Sequence, residues 1–136
     1  MSIVLDCSAT IARVYIQETT PAIRTIFETI AVTGAWVPSL WHLEVANVLE
    51  MNLRRGRNDA AFRDAALADL ALLSIQIDPE TNQHAWDTTL RLASRHKLTV
   101  YDAVYLELAQ RRSLPLATLD QELREAARLE RVPVLG

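Results

Sequence analysis

At 136 residues the chain has the length of one domain, and such a domain can bury about two-thirds of its unfolded surface without staples. Half of its residues are apolar, which excludes a disordered chain, and the single cysteine, Cys7, excludes an internal disulfide and suits a reducing cytoplasm. A formal net charge of −3 gives no signature of a phosphate-binding surface, no apolar run reaches the roughly 18 residues that span a bilayer, and Met1–Asp6 lacks the basic region of a signal peptide.

The elements are expected to follow one another without a linker. Ile3-Val4-Leu5 is a short apolar run suited to a strand buried on both faces. Ser8 is the expected cap of a helix reaching about Glu18. Pro21 opens a second helix that ends near Gly34. Ala35 to Pro38 reads as a second strand, stopped by its proline. Ser39 is the expected cap of a long helix to about Arg55. A turn over Arg55–Asn58 follows, and Asn58 or Asp59 caps a helix ending near Leu73. Ser74 to Asp78 is a third strand, Asp78-Pro79-Glu80 opens a helix reaching about Lys97, and another helix covers Tyr101 to Arg112. Leu114–Leu119 is a fourth strand, Gln121–Leu129 a helix, and Val132–Leu135 a last short strand. Strands alternating with helices predict an α/β fold: one domain over residues 1–136, with a parallel sheet and helices on both faces. Three glycines, none grouped, exclude a glycine-rich phosphate loop.

Basic residues fall in groups: Arg54, Arg55, Arg57 and Arg63; Arg91, Arg95, His96 and Lys97; Arg111 and Arg112. Thirteen arginines against one lysine suit bidentate contacts to phosphate or carboxylate. The ordinary alternative for each is a solvated helix residue or an ion-pair partner.

Most acids have simple explanations. Asp78 and Glu80 open a helix, where the dipole favours them, and Glu107 can pair with Arg111 one turn on. Four fit less easily. Asp6 and Asp120 each follow a buried-type strand, and ligands of open parallel sheets bind outside strand carboxyl ends; a turn residue or helix cap is the alternative. Glu44 has Leu40, Val48 and Met51 as its helical neighbours and so lies on or beside an apolar face. Asp102 has Tyr105, Leu106 and Ala109 in the same relation. A buried ion pair is the alternative for Glu44, and an N-cap role for Asp102.

If the four converge, two carboxylates about 4 Å apart repel by roughly 4 kcal/mol at an effective dielectric near 20. The cluster then takes up protons or a divalent cation. Oxygen donors alone select Mg²⁺ or Mn²⁺, and no Cys/His pattern offers a zinc site. A cation so held suits water activation and phosphoryl-group hydrolysis.

Four blocks carry a resemblance: Ile3-Val4-Leu5-Asp6-Cys7-Ser8, Pro38-Ser39-Leu40-Trp41-His42-Leu43-Glu44-Val45-Ala46-Asn47-Val48-Leu49, Leu98-Thr99-Val100-Tyr101-Asp102-Ala103-Val104-Tyr105-Leu106-Glu107-Leu108-Ala109, and Leu116-Ala117-Thr118-Leu119-Asp120-Gln121-Glu122-Leu123. In this order the chain resembles the PIN-domain family and, within it, VapC-type ribonuclease toxins of toxin–antitoxin modules. The resemblance implies a three-layer α/β/α fold with strand order 3-2-1-4-5, which would bring Asp6 and Asp120 together. It implies that Asp6, Glu44, Asp102 and Asp120 are the catalytic, metal-holding residues, with Ser8 and Thr118 as supporting hydroxyls and Asn47 as support for Glu44. It implies an Mg²⁺- or Mn²⁺-dependent endoribonuclease with an RNA substrate, a VapB-type antitoxin partner, a homodimer, and a toxin–antitoxin hetero-oligomer that binds operator DNA through the antitoxin. The helices from Ser39 to Leu73 would form much of the antitoxin groove. Trp41, Leu53 and Phe62 are its candidate contacts, with core packing the alternative for each. Cys7 stands where the family has a small residue and is read as buried, not as a nucleophile.

Two other classes compete. A receiver-like phosphoacceptor domain would use Asp78 after the third strand, but it needs a lysine after the fifth, and Lys97 lies before the fourth. A catalytically silent PIN-fold binding module would keep the fold without the reaction. No membrane association is expected, and the expected location is the cytoplasm.

Overall fold

Parallel strands need a connection longer than a hairpin, and every strand-to-strand segment of this chain contains at least one helix. In the computed structural model, which describes residues 2–136, the strands are β1 (Ile3–Leu5), β2 (Ala35–Val37), β3 (Ile75–Ile77), β4 (Leu116–Ala117) and β5 (Val134–Leu135). All four pairings are parallel and the order is β3-β2-β1-β4-β5. Val4 at the centre pairs with Trp36 on one side and Leu116 on the other. Right-handed crossovers then set the layers. The chain runs outward from β1 to β3, so α1 (Cys7–Val14), α2 (Pro21–Thr33), α3 (Trp41–Arg54) and α4 (Ala60–Ala71) cover one face. It returns to β4 and β5, so α5 (Thr81–Ala85), α6 (Thr88–His96), α7 (Val100–Arg112) and α8 (Gln121–Leu129) cover the other. Sandwiched this way, Val4, Leu5, Val37, Leu116 and Ala117 are fully buried, which explains why the central strands read as continuous apolar runs.

Several boundaries differ from the expectations. Asp6, not Ser8, caps α1: its carboxylate accepts from the Cys7 N–H. The helix stops at Val14 because Tyr15 leaves helical geometry (ψ 110°) to bury its ring. Its phenol bonds to Asn52 and Asn58, and the Thr19 hydroxyl donates to the Ala12 carbonyl at 2.8 Å. Only a short 3₁₀ turn over Ile16–Glu18 follows. Ser39 does not cap α3; its N–H donates to Thr81 Oγ1, and the helix starts at Trp41 without a side-chain cap. The helix expected over residues 80–97 breaks between α5 and α6, at Trp86 and Asp87. Asp and the following Thr88-Thr89 are poor helix formers, and Asp87 sits at φ −121°, ψ −103°. Asp59 is the cap of α4, accepting from the Phe62 N–H at 2.8 Å. The C-cap Gly34 has φ 73°, and a Cβ there would lie 2.8 Å from the Ser74 carbonyl oxygen, so the entry to β2 requires glycine. No helix among the described residues is long and apolar enough to cross a membrane.

Candidate active site

Between β1 and β4 the strand order reverses, the switch point at which parallel sheets of this kind open a crevice at the carboxyl ends of their strands. Asp6 stands in it, 4% exposed. One of its oxygens accepts from the Cys7 N–H at 2.8 Å. The other accepts from Ser8 Oγ at 2.8 Å and Thr118 Oγ1 at 2.7 Å. Each hydroxyl has one proton and gives it to Asp6. Ser8 Oγ then accepts from the Leu119 N–H and Thr118 Oγ1 from the Asp120 N–H. The 3.2 Å contact between the two hydroxyls is therefore not a hydrogen bond of its own. This arrangement locks the end of β1 to the end of β4. Burial pushes the Asp6 carboxyl above its ordinary range, the three donors pull it back, and the charge of Asp120 pushes it up again.

The other three acids arrive from three further helix starts. Asp120 caps α8, accepting from the Leu123 N–H at 2.9 Å. Glu44 lies in the first turn of α3 and Asp102 in the first turn of α7. All three are partly exposed. The cap of α7 is Thr99, whose hydroxyl accepts from the Asp102 N–H, so Asp102 is not needed as the cap. Each of the four acids thus sits at a helix N-terminus, where the dipole eases negative charge. The easing is incomplete. Burial raises Glu44 to about 7, against a hydrogen bond from Tyr105 and with help from the charges of Asp6 and Asp102. Asp102 is raised by burial and then by Asp6, Asp120 and Glu122. Among the described residues none of the four has a Lys, Arg or His partner.

The four acids feel one another's charge, but the crevice is open. Among the described residues no three His, Cys, Asp or Glu side chains are close enough to hold an ion as they stand. The donor set still suits a hard divalent cation: it consists of carboxylate oxygens, uncompensated and mutually repelling. Asp6 is fixed by its donors and Glu44 by Tyr105, so closure around an ion would fall to Asp102 and Asp120.

The expected supports fare differently. Ser8 and Thr118 bond directly to Asp6. Asn47 is exposed, and no hydrogen bond joins it to Glu44. The polar companion of Glu44 is Tyr105, whose buried phenol donates to Glu44 Oε1. Tyr105 read in the sequence as an apolar neighbour of Asp102. The available signal was a tyrosine on the most buried helix of the chain, because a buried phenol needs a partner. The same surroundings push its own ionisation far up. Cys7 is buried, and burial, then Glu44 and Asp6, raise its thiol to about 12, which makes it a poor nucleophile.

Trp41 belongs to the core: it is 3% exposed and its indole N–H donates to Thr10 Oγ1 at 3.1 Å. Thr10 Oγ1 in turn donates to the Asp6 carbonyl, so the start of α3 is tied to the backbone of Asp6. Phe62 is partly exposed and stacks on Tyr15. With Arg13, Val14, Phe27, Leu70 and Leu72 it lines an apolar pocket of about 400 Å³ between α1, α2 and α4. Leu53 is half-buried. The arginine groups are largely spent on ion pairs. Arg54 and Arg63 pair with Glu50, Arg57 with Glu18, Arg91 with Asp87, Arg95 with Glu130, and Arg111 and Arg112 with Asp78.

Comparison with known proteins agrees with this fold. The crystal structure of PAE2754 from Pyrobaculum aerophilum superposes with a TM-score of 0.69 at 26% identity, over 93% of this chain and 79% of that one. The crystal structure of FitAcB from Neisseria gonorrhoeae gives the same TM-score at 15% identity, over 98% and 96% of the two chains, a likeness of fold. No curated protein matches the sequence. The family model of the PIN domain matches residues 3–129, and the chain belongs to the PIN-domain family.

Proposed function

We propose that this chain is a single-domain, Mg²⁺- or Mn²⁺-dependent endoribonuclease and the VapC-type toxin of a toxin–antitoxin pair. PIN domains are generally nucleases. The observation that carries the proposal is a buried Asp6 within charge range of Glu44, Asp102 and Asp120, each at a helix start, with no cation among the described residues to offset them. Asp6, Glu44, Asp102 and Asp120 would hold the metal. When bound, it supplies the Lewis acidity that activates water and offsets charge on a phosphoryl group.

The chain's own part is positioning. Ser8, Thr118 and the Cys7 N–H keep Asp6 in one rotamer, at the centre of the crevice. The Thr10–Trp41 chain sets the distance of α3 from it. The partial exposure of Glu44, Asp102 and Asp120 leaves the side open where an RNA strand would lie. A VapB-type antitoxin, a homodimer and a toxin–antitoxin hetero-oligomer acting in the cytoplasm follow from the resemblance to VapC-type toxins. The apolar pocket beside Phe62 is the natural place for an antitoxin helix.

The open spacing of the acids favours one other reading, a silent PIN-fold module. The receiver-like reading loses its acceptor, because the Asp78 side chain is 0% exposed and held by Arg111 and Arg112. The test is Asp6→Asn. Purified wild-type chain should cleave RNA with Mg²⁺ or Mn²⁺, and the variant should not, while its circular dichroism is unchanged. A folded variant that still cuts would sink the assignment, and a wild type that never cuts would favour the silent module.

A further inference from the structure

A phenol buried as deeply as that of Tyr105 requires a hydrogen-bond partner, and the one it has is Glu44 Oε1. Tyr105 is among the largest fully buried side chains of the molecule. It stands on α7 one turn after Asp102, so the helix that offers Asp102 to the crevice also reaches across to α3 and grips Glu44. Phenylalanine would fill the same space, so packing alone does not call for the hydroxyl. The other oxygen of Glu44 makes no hydrogen bond among the described residues. Trp41 already fixes where α3 begins relative to Asp6. What Trp41 leaves free is the glutamate side chain itself, which has three torsions beyond Cα.

Resting on the metal-nuclease reading above, we propose that Tyr105 is a positioning residue of the cation site: its hydroxyl holds one oxygen of Glu44 and leaves the other as the ligand oxygen. A glutamate ordered at folding loses less rotamer freedom when the ion binds. Hydrogen-bond partners of metal ligands typically change metal affinity by about 10- to 100-fold.

The experiment is Mn²⁺ titration calorimetry on wild type, Tyr105→Phe, Glu44→Gln and the double variant, with RNA cleavage followed across Mn²⁺ concentration. Tyr105→Phe should bind Mn²⁺ about 10- to 100-fold more weakly. It should need correspondingly more Mn²⁺ for half-maximal cleavage, with much of the rate returning at saturation. In the Glu44→Gln background the same change should add little, because the route through Glu44 is gone. Unchanged affinity in Tyr105→Phe, beside a wild type that binds, overturns the positioning role alone. An equal loss in the Glu44→Gln background overturns it too and assigns the effect to packing. No Mn²⁺ uptake by the wild type overturns the metal reading and this role with it. If Tyr105→Phe does not fold, wild-type chain with ¹³C-labelled tyrosine is titrated with Mg²⁺. The Tyr105 ring signal should then move with the calorimetric dissociation constant, and a static signal contradicts the role.

Discussion

Asp6 and Asp78 both follow a strand of the same parallel sheet, and both are almost wholly buried, yet their neighbours differ in sign. Asp78 receives Arg111 Nη2 at 2.6 Å and Arg112 Nη2 at 3.0 Å, and the Thr81 hydroxyl completes its shell. Arg111 also holds Glu107 and Glu80, and Arg112 lies 3.5 Å over the Trp36 ring. Burial alone would raise the Asp78 carboxyl; the two guanidiniums outweigh it and hold Asp78 at about 2. Around Asp6 the partners are hydroxyls, an N–H and three more acids, and every resolved shift at the site carboxylates is upward. One cluster carries its own cations; among the described residues the other has none. Strand-end position therefore does not separate a structural acid from a site acid; the charge brought by the opposing helix does.

The largest expected effect on stability lies at the paired cluster. Arg111→Met leaves Asp78 and Glu107 buried with their main partner gone, and should lower unfolding free energy by about 3–5 kcal/mol in urea denaturation. Asp6→Asn, at an equally buried position, should change the stability of the metal-free chain by much less, because relief of a repelled charge offsets the one accepting oxygen that the amide loses. Equal losses at the two positions would erase the distinction between the clusters.

Next in size is the pH dependence, which runs in opposite directions. Asp78 is held at about 2 against an ordinary 3.8. It contributes about 2 kcal/mol above pH 4 that disappears as pH falls toward 2. Glu44 is raised from 4.5 to about 7. Its contribution is complete below pH 4.5 and is lost as pH rises through 7; Asp6 and Asp102 shift the same way. In EDTA, stability should therefore fall both below pH 4 and from pH 5 to 8. Mn²⁺ should abolish the upper fall and leave the lower one. A metal-free profile flat from pH 5 to 8 would contradict an uncompensated cluster.

The smallest effect belongs to Asn47. Exposed and unbonded to Glu44, it should tolerate Asn47→Ala with a change within about 0.5 kcal/mol in stability and unaltered cleavage.

Much of the frame was legible in the residues. Ile3-Val4-Leu5 and Leu114–Leu119 read as buried strands, the second shortened to Leu116–Ala117 in the sheet, and the strand order implied by the PIN resemblance matches. Asp6 and Asp120 stood out by position alone. Details that depend on a partner distant in sequence did not. Tyr105 meets Glu44 across 61 positions, and nothing in either local pattern names the other. The stop of α1 at Val14 comes from Asn52 and Asn58 drawing Tyr15 inward. The arginine groups left phosphate contacts and ion pairs both open, and the acids that settle it, Glu18, Glu50, Asp78 and Glu130, are brought to them only by tertiary packing. Trp86, 93% exposed at the break between α5 and α6, shows local propensity overriding a helical run.

That the acids around Asp6 form a cation site is tested most directly by calorimetric titration of the metal-free chain with Mn²⁺, run in parallel on wild type and Asp6→Asn at pH 7.5. Saturable uptake by the wild type, weakened at least about tenfold in the variant, is the expected result. No uptake by the wild type, or equal uptake by both, would contradict it.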